Sequence, residues 1–287
     1  MTRVDVGVLS GKVALVTGAA RAQGRAHAVT MARHGADIVM MDIGHDVDGV
    51  RYPLGTEAEL AETAKAVEAL DRQVVWQLAD VRFQDQIDAV VAAGLAAFGH
   101  VDIAIANAAV FDYGPTWELT EQQWSNVMET NLGGVWRTAK AVIPAMIDHG
   151  GGSIVMISSV NGLQAADGHS HYAAAKHGVI GLMRSIALEA APLGIRCNAI
   201  CPGFVRSGMT DFQEQLDKYA GHPGGTEADL EHAGRSYHPT RDLTYLDPQR
   251  IADAALWLVS DAAAAVTGVA LPVEAGHLLM PGVYTGA

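Results

Sequence analysis

A chain of 287 residues, 49% of them hydrophobic, is long for one domain yet within reach of a single α/β domain with a large core. Its net charge of -13 argues against a nucleic-acid partner, which needs a basic face. No apolar run reaches the roughly 18 residues of a membrane span, and the first residues lack the cationic start and apolar stretch of a secretory signal, so a cytoplasmic protein is expected.

Short apolar runs at 13–17, 38–42, 74–80, 101–107, 153–158, 196–201 and 269–273 alternate with helical patterns. Continuous apolar strands between amphipathic helices predict a parallel sheet covered on both faces. The expected fold is one α/β domain, doubly wound, of about seven strands, with its ligand at the strands' carboxyl ends. The first run leads into Thr17-Gly18-Ala19-Ala20-Arg21-Ala22-Gln23-Gly24 and then a helical pattern at 25–35. Strand, glycine turn and helix together set backbone N–H groups against a pyrophosphate, which nominates Gly18, Arg21, Gln23 and Gly24. Asp42 closes the second strand, where a carboxylate meets the adenosine ribose hydroxyls and repels a 2′-phosphate, favouring NAD over NADP. Arg21 pulls the other way, since a basic residue in the turn could meet that phosphate, and Asp42 alone could be an ordinary strand-end residue.

A polar insertion follows at 43–56. The stretch 204–246, with Gly, Pro and three histidines, is too long for a plain connector and predicts a substrate lid carrying short helices. The domain divides into a nucleotide-binding half at about 11–110 and a catalytic half at about 111–287. Cys197 and Cys201 make neither a disulfide framework nor a zinc site and read as buried free thiols.

Tyr172 and Lys176 are four residues apart and share a face if the segment is helical. A cation beside a phenol lowers its pKa from about 10 toward neutrality. That makes a general base able to take an alcohol's proton while a nicotinamide takes the hydride. Ser159 precedes Tyr172 by thirteen residues. Taken singly, Ser159 reads as a turn hydroxyl, Asn131 as a helix-interior polar residue and the Tyr/Lys pair as a surface pair. His169 and His171 share a face if extended. Pocket lining is the expectation there and metal binding the alternative, which lacks a clear third ligand, so no metal site is expected. Gln164 and His169 are the candidate substrate contacts, with Asp167 nearby. His222, His232 and His238 are expected at the surface, and Trp117, Trp124 and Trp136, on helical patterns, in core or subunit packing.

The glycine turn, Asp80-Val81 after the third strand, Asn107-Ala108-Ala109 after the fourth, then Asn131, Ser159, Tyr172, Lys176 and Pro202-Gly203 follow one another in a familiar order. Over essentially its full length the chain resembles the short-chain dehydrogenase/reductase family. The turn, Asp42-Ile43, Tyr52-Pro53-Leu54-Gly55-Thr56 and Leu60-Ala61-Glu62-Thr63 look like its mycofactocin-associated, carveol dehydrogenase-like subgroup. The resemblance implies a Rossmann-type fold, NAD as cofactor, and hydride transfer to or from a secondary alcohol or ketone, cyclic or hydrophobic. It implies Tyr172 as acid/base, Lys176 as its pKa-lowering partner and ribose ligand, and Ser159 as donor to the substrate oxygen. Asn131 would hold a water linking Lys176 to solvent. The spacing to Tyr172 selects Ser159 over its neighbour Ser158. Ile43, Asp80, Val81, Asn107, Pro202, Gly203, Val205 and Ser207 join the cofactor-binding set.

The resemblance further implies a homotetramer and, in the subgroup, an insertion covering a retained cofactor that a separate redox carrier, mycofactocin, reoxidises in place. A biosynthetic ketoreductase using the same residues in reverse stays open. So does a nucleotide-binding scaffold without turnover, although a scaffold would be expected to lose Ser, Tyr or Lys. Three positions depart from the family pattern: Ala22 and Ala109 replace glycines, and Ser207 stands where threonine is common. The tail from Leu278 onward fits a packed or a frayed terminus.

Overall fold

The computed structural model describes residues 7–241 and 243–280. The first half alternates strand and helix: β1 (Val13–Thr17), α1 (Ala22–Arg33), β2 (Asp37–Asp42), α2 (Glu57–Glu68), β3 (Val74–Leu78), α3 (Gln84–Phe98) and β4 (Ile103–Ala106). The second half begins with α4 (Glu121–Met128), a π-helical turn at Glu129–Gly133, α5 (Gly134–Asp148) and β5 (Gly152–Ile157). It continues with α6 (Ser170–Ala190), β6 (Ile195–Pro202), α7 (Gln213–Ala220), α8 (Glu227–Tyr237), α9 (Pro248–Val259) and β7 (Ala270–Val273). The end of the tail, 281–287, lies outside the described residues. No helix among the described residues is long and apolar enough to cross a membrane.

All seven strands are parallel, in the order β3-β2-β1-β4-β5-β6-β7. The strand order reverses between β1 and β4, so the crossovers leaving them go to opposite faces and open a crevice at their carboxyl ends. Alternate residues of each strand enter different cores, as a sheet buried on both faces requires. Leu15, Val39 and Met41 pack with α3, α5 and α6, while Ala14, Val16, Ile38 and Met40 pack with α1, α2 and α9.

The strands lie where the apolar runs predicted them, with β3 and β4 ending one or two residues early. The Asp80 N–H turns onto the Gln86 side-chain oxygen (2.7 Å), and the Asn107 N–H onto the Thr17 hydroxyl (3.0 Å). Both residues therefore leave the ladder to face the crevice. Trp124 and Trp136 are helical as their pattern suggested, but they and Trp117 are exposed on this chain and are not core. Cys197 and Cys201 are buried free thiols.

The family's second turn glycine has a visible reason. Ala22 sits at φ 46, in the left-handed region, which costs a residue with a Cβ about 1–2 kcal/mol. Ala22→Gly relieves that strain but adds about 0.5–1 kcal/mol of unfolded-state entropy. The net expectation is a gain of about 0.5–1 kcal/mol, seen as a melting temperature raised by about 1–3 °C. An unchanged or lower melting temperature would mean the turn is relaxed with alanine.

Two appendages close over the crevice. Residues 43–56 form a strap without regular structure, pinned to the loop after β4. The Phe111 N–H donates to the Tyr52 oxygen (2.8 Å), and Arg51 pairs with Asp112 (3.0 Å). The Arg21 guanidinium donates to the Pro53 carbonyl. The lid, 204–246, carries α7 and α8 as the sequence predicted, and a bridge between Val205 and Leu246 closes its base. Lid meets strap where Phe212 packs on Tyr52, ring centroids 5.2 Å apart.

Candidate active site

A cleft of about 890 Å³ runs from the glycine turn to the lid. Every residue nominated for cofactor, substrate or chemistry lines it, except Asn131.

At one end the turn is locked to the sheet. The Asn107 amide donates to the carbonyls of Thr17 (2.9 Å) and Gly18 (3.2 Å), which leaves the turn's N–H groups facing the cleft. Gly18 has φ 67, and a Cβ there would lie 2.8 Å from the Ala108 Cα. The Asp42 carboxylate accepts from the N–H groups of Ala20 (2.9 Å) and Ile43 (2.8 Å), which fixes its orientation. Burial pushes its pKa up, and those two bonds with the Arg21 charge pull it back. Asp80 is held in a forked pair with Arg82, the shortest contact 2.6 Å. Gln23 has a buried side-chain oxygen without a hydrogen-bond partner, in a residue that lines the cleft.

At the other end α6 presents Tyr172 and Lys176 on one face, under the end of β5. Lys176 is almost fully buried, yet its ammonium donates to the Ile157 carbonyl (2.9 Å) and lies 5.6 Å from the Tyr172 ring centroid. The Ser158 hydroxyl donates to the Lys176 carbonyl (2.9 Å), so Ser158 braces the helix. Ser159 opens onto the cleft, its hydroxyl accepts from the Asn161 N–H (3.1 Å), and it lies near enough to Tyr172 to lower the phenol's pKa.

The acid–base balance departs from expectation. Burial pushes the Tyr172 phenol up to about 12, with Ser159 pulling it down, and burial pulls Lys176 down to about 8. Burial therefore outweighs the lowering that the Tyr172–Lys176 spacing predicts.

Asn131 lies in the π-helical turn, fully buried, with its amide committed twice to Val110. It accepts from the N–H (2.8 Å) and donates to the carbonyl (2.7 Å). Its side chain anchors the loop after β4. It is therefore not the local helix bond that the residue suggests when taken singly.

His169 and His171 do not share a face, because α6 begins at Ser170 and helical rotation separates them. His169 lines the cleft, its pKa lowered to about 4 by burial, with the Lys218 charge adding to that. His171 is buried away from it, both ring nitrogens unpartnered. His238, expected at the surface, is also buried.

Sequence reasoning missed the aromatic wall of the lid, where Phe204 packs between Tyr219 (5.8 Å) and Tyr237 (5.3 Å). It also missed His277, whose contact with Gln164 joins residues 113 apart in the chain. The only signal was a polar ring just past the glycine after the last strand.

A family model described as short chain dehydrogenase matches residues 12–217. An uncharacterised NAD-dependent oxidoreductase of Mycobacterium tuberculosis is 44% identical over 274 residues, covering 95% of this chain and 98% of its own. The (-)-trans-carveol dehydrogenase of Rhodococcus erythropolis is 39% identical over 282 residues, covering 97% and 100%. The solved carveol dehydrogenase from Mycobacterium avium in complex with NAD superposes with a TM-score of 0.93 at 40% identity, over 96% of this chain and all of its own. With relatives aligned end to end and the family's serine, tyrosine and lysine meeting in one cleft, the chain belongs to the short-chain dehydrogenase family.

Proposed function

We propose that the protein is an NAD-dependent dehydrogenase of a secondary alcohol, cyclic or hydrophobic, with Tyr172 as its acid/base. One observation carries this reading: Asp42 and the Ser159, Tyr172 and Lys176 group line a single continuous cleft. The cradle fits a dinucleotide. Glycine-turn N–H groups suit a pyrophosphate, the braced Asp42 suits an unphosphorylated ribose, and Gln23 holds a buried acceptor in want of a donor. Gly18, Arg21, Gln23, Gly24, Asp42 and Ile43 would hold the adenosine end with Asp80 and Val81. Asn107, Lys176, Pro202, Gly203, Val205 and Ser207 would hold the nicotinamide end.

Bound in this cradle, NAD would supply the hydride acceptor. Tyr172 takes the substrate's hydroxyl proton, Ser159 donates to the oxygen as it becomes alkoxide-like, and Lys176 keeps the phenol oriented. The aromatic lid excludes water and favours an apolar substrate body.

The strap pinned by Tyr52, Arg51 and Arg21 supports slow cofactor exchange, and so reoxidation in place by an external carrier such as mycofactocin. A homotetramer is supported by family likeness and by the exposed Trp124 and Trp136, and two free thiols suit a reducing cytoplasm. Ketone reduction uses the same residues in reverse.

The test is mass spectrometry of nucleotide released on denaturing extensively dialysed protein. Near-stoichiometric NAD or NADH is the expected result. Released NADP would overturn the role given to Asp42, and an empty protein that still uses NAD would overturn retention by the strap.

A further inference from the structure

His277 reaches the cleft by an unusual route. After β7 the chain passes through Ala275 (φ 54) and Gly276 (φ 89), both left-handed, and this double reversal turns His277 back onto the lid. Its ring stacks on that of Tyr237, at the end of α8, with centroids 3.9 Å apart and planes 8° apart. Its Nδ1 lies 2.8 Å from the Tyr237 carbonyl oxygen, and its Nε2 lies 2.6 Å from the Gln164 side-chain nitrogen. A carbonyl only accepts, so Nδ1 carries the proton, and Nε2 of the neutral ring only accepts. Gln164 must then offer its N–H to the ring, which directs its amide oxygen elsewhere. No donor among the described residues meets that oxygen, and Gln164 lines the cleft.

We propose that His277 is a positioning residue that fixes Gln164 as a hydrogen-bond acceptor for a second polar group on the substrate. The preferred substrates are then alcohols bearing a further hydroxyl. This rests on reading the cleft as a dehydrogenase site. The relay joins three parts of the chain, the loop after β5, the end of the lid and the segment after β7, so the acceptor is set only with the lid in place. Phe204, Tyr219 and Tyr237 make the nearby wall aromatic. A substrate without a donor leaves the Gln164 oxygen unpaired beside apolar surface. A site built to bond a substrate hydroxyl rejects analogues lacking it far more strongly than an apolar pocket rejects a missing methylene.

His277→Phe keeps a ring to stack on Tyr237 and removes both nitrogens. With NAD and an artificial electron acceptor able to reoxidise bound NADH, the wild type should favour the cyclohexanediols over cyclohexanol. The variant should lose that preference by about tenfold, mainly through KM, the equivalent of about 1.4 kcal/mol. Cyclohexanol itself should change less than about twofold. Gln164→Leu should lose the same diol preference, with no further loss of preference in the double variant. A parallel loss on both substrates, or none, would overturn the proposal as a merely structural contact. Should the wild type oxidise neither alcohol, the dehydrogenase reading fails for these substrates and the relay is decided separately. Nitrogen-15 NMR of the labelled full chain, with His277 assigned by its absence from the Phe variant, should show the Nδ1–H tautomer. An Nε2–H ring would overturn the relay.

Discussion

Tyr172→Phe is expected to lower kcat by about 10³, within the span that a positioned acid/base contributes, while nucleotide binding and melting temperature stay near wild type. The asymmetry follows from what the ring touches. Phe111 meets it edge-on at 5.3 Å and the Lys176 ammonium lies over it at 5.6 Å, and phenylalanine keeps both contacts. Only the hydroxyl is lost, and with it the proton acceptor. Burial pushes the phenol up to about 12, so its basic form gains population as pH rises. Oxidation by the wild type should therefore rise with pH, and the residual rate of the variant should lack that limb. A variant keeping more than about a tenth of wild-type kcat would remove Tyr172 from its role.

Gly24→Ala should be the most damaging small substitution in the glycine turn. A Cβ at Gly24 would overlap the Gly18 carbonyl oxygen and press on the Ala19 Cα at 2.9 Å. Both neighbours are backbone, and the Asn107 amide clamps that same carbonyl, so neither can yield as a side chain would. Overpacking of this kind costs about 1–3 kcal/mol, which in a chain of this size lowers the melting temperature by several degrees. Relief comes only by opening the turn, so nucleotide affinity should fall at least about tenfold. Differential scanning calorimetry with and without NAD separates the two effects. Wild-type values in both would show that the turn has slack the geometry does not reveal.

These two substitutions fall on residues legible from the sequence, and the reason is local. Glycine turn, strand-end Asp42 and the Tyr/Lys pair each depend on a short stretch whose spacing sets its geometry. The apolar runs likewise located all seven strands, since a strand buried on both faces carries its pattern in its own residues. What stayed illegible depends on partners far along the chain. Asn131 read as a local polar residue because nothing near it points to Val110. His171 and His238 read as lining and surface because polarity says nothing about which helix face is covered. His277 had no motif at all, being defined by Gln164 and Tyr237. The phenol's environment misled for a related reason. The spacing shows that a cation is near, but not that both groups are desolvated together.

The bond between Gln249 on α9 and Thr30 on α1 spans 219 residues at 2.8 Å, and the two helices pack side by side on one face of the sheet. Recombination between relatives is therefore constrained at a place remote from any motif. A chimera that takes its early strands from one parent and its late helices from another inherits a mismatched α1–α9 seam, however well its glycine turn and its tyrosine are preserved. The natural unit of exchange in this chain is the strap or the lid, each a segment between a strand's carboxyl end and the next sheet-covering helix, and not a half of the domain.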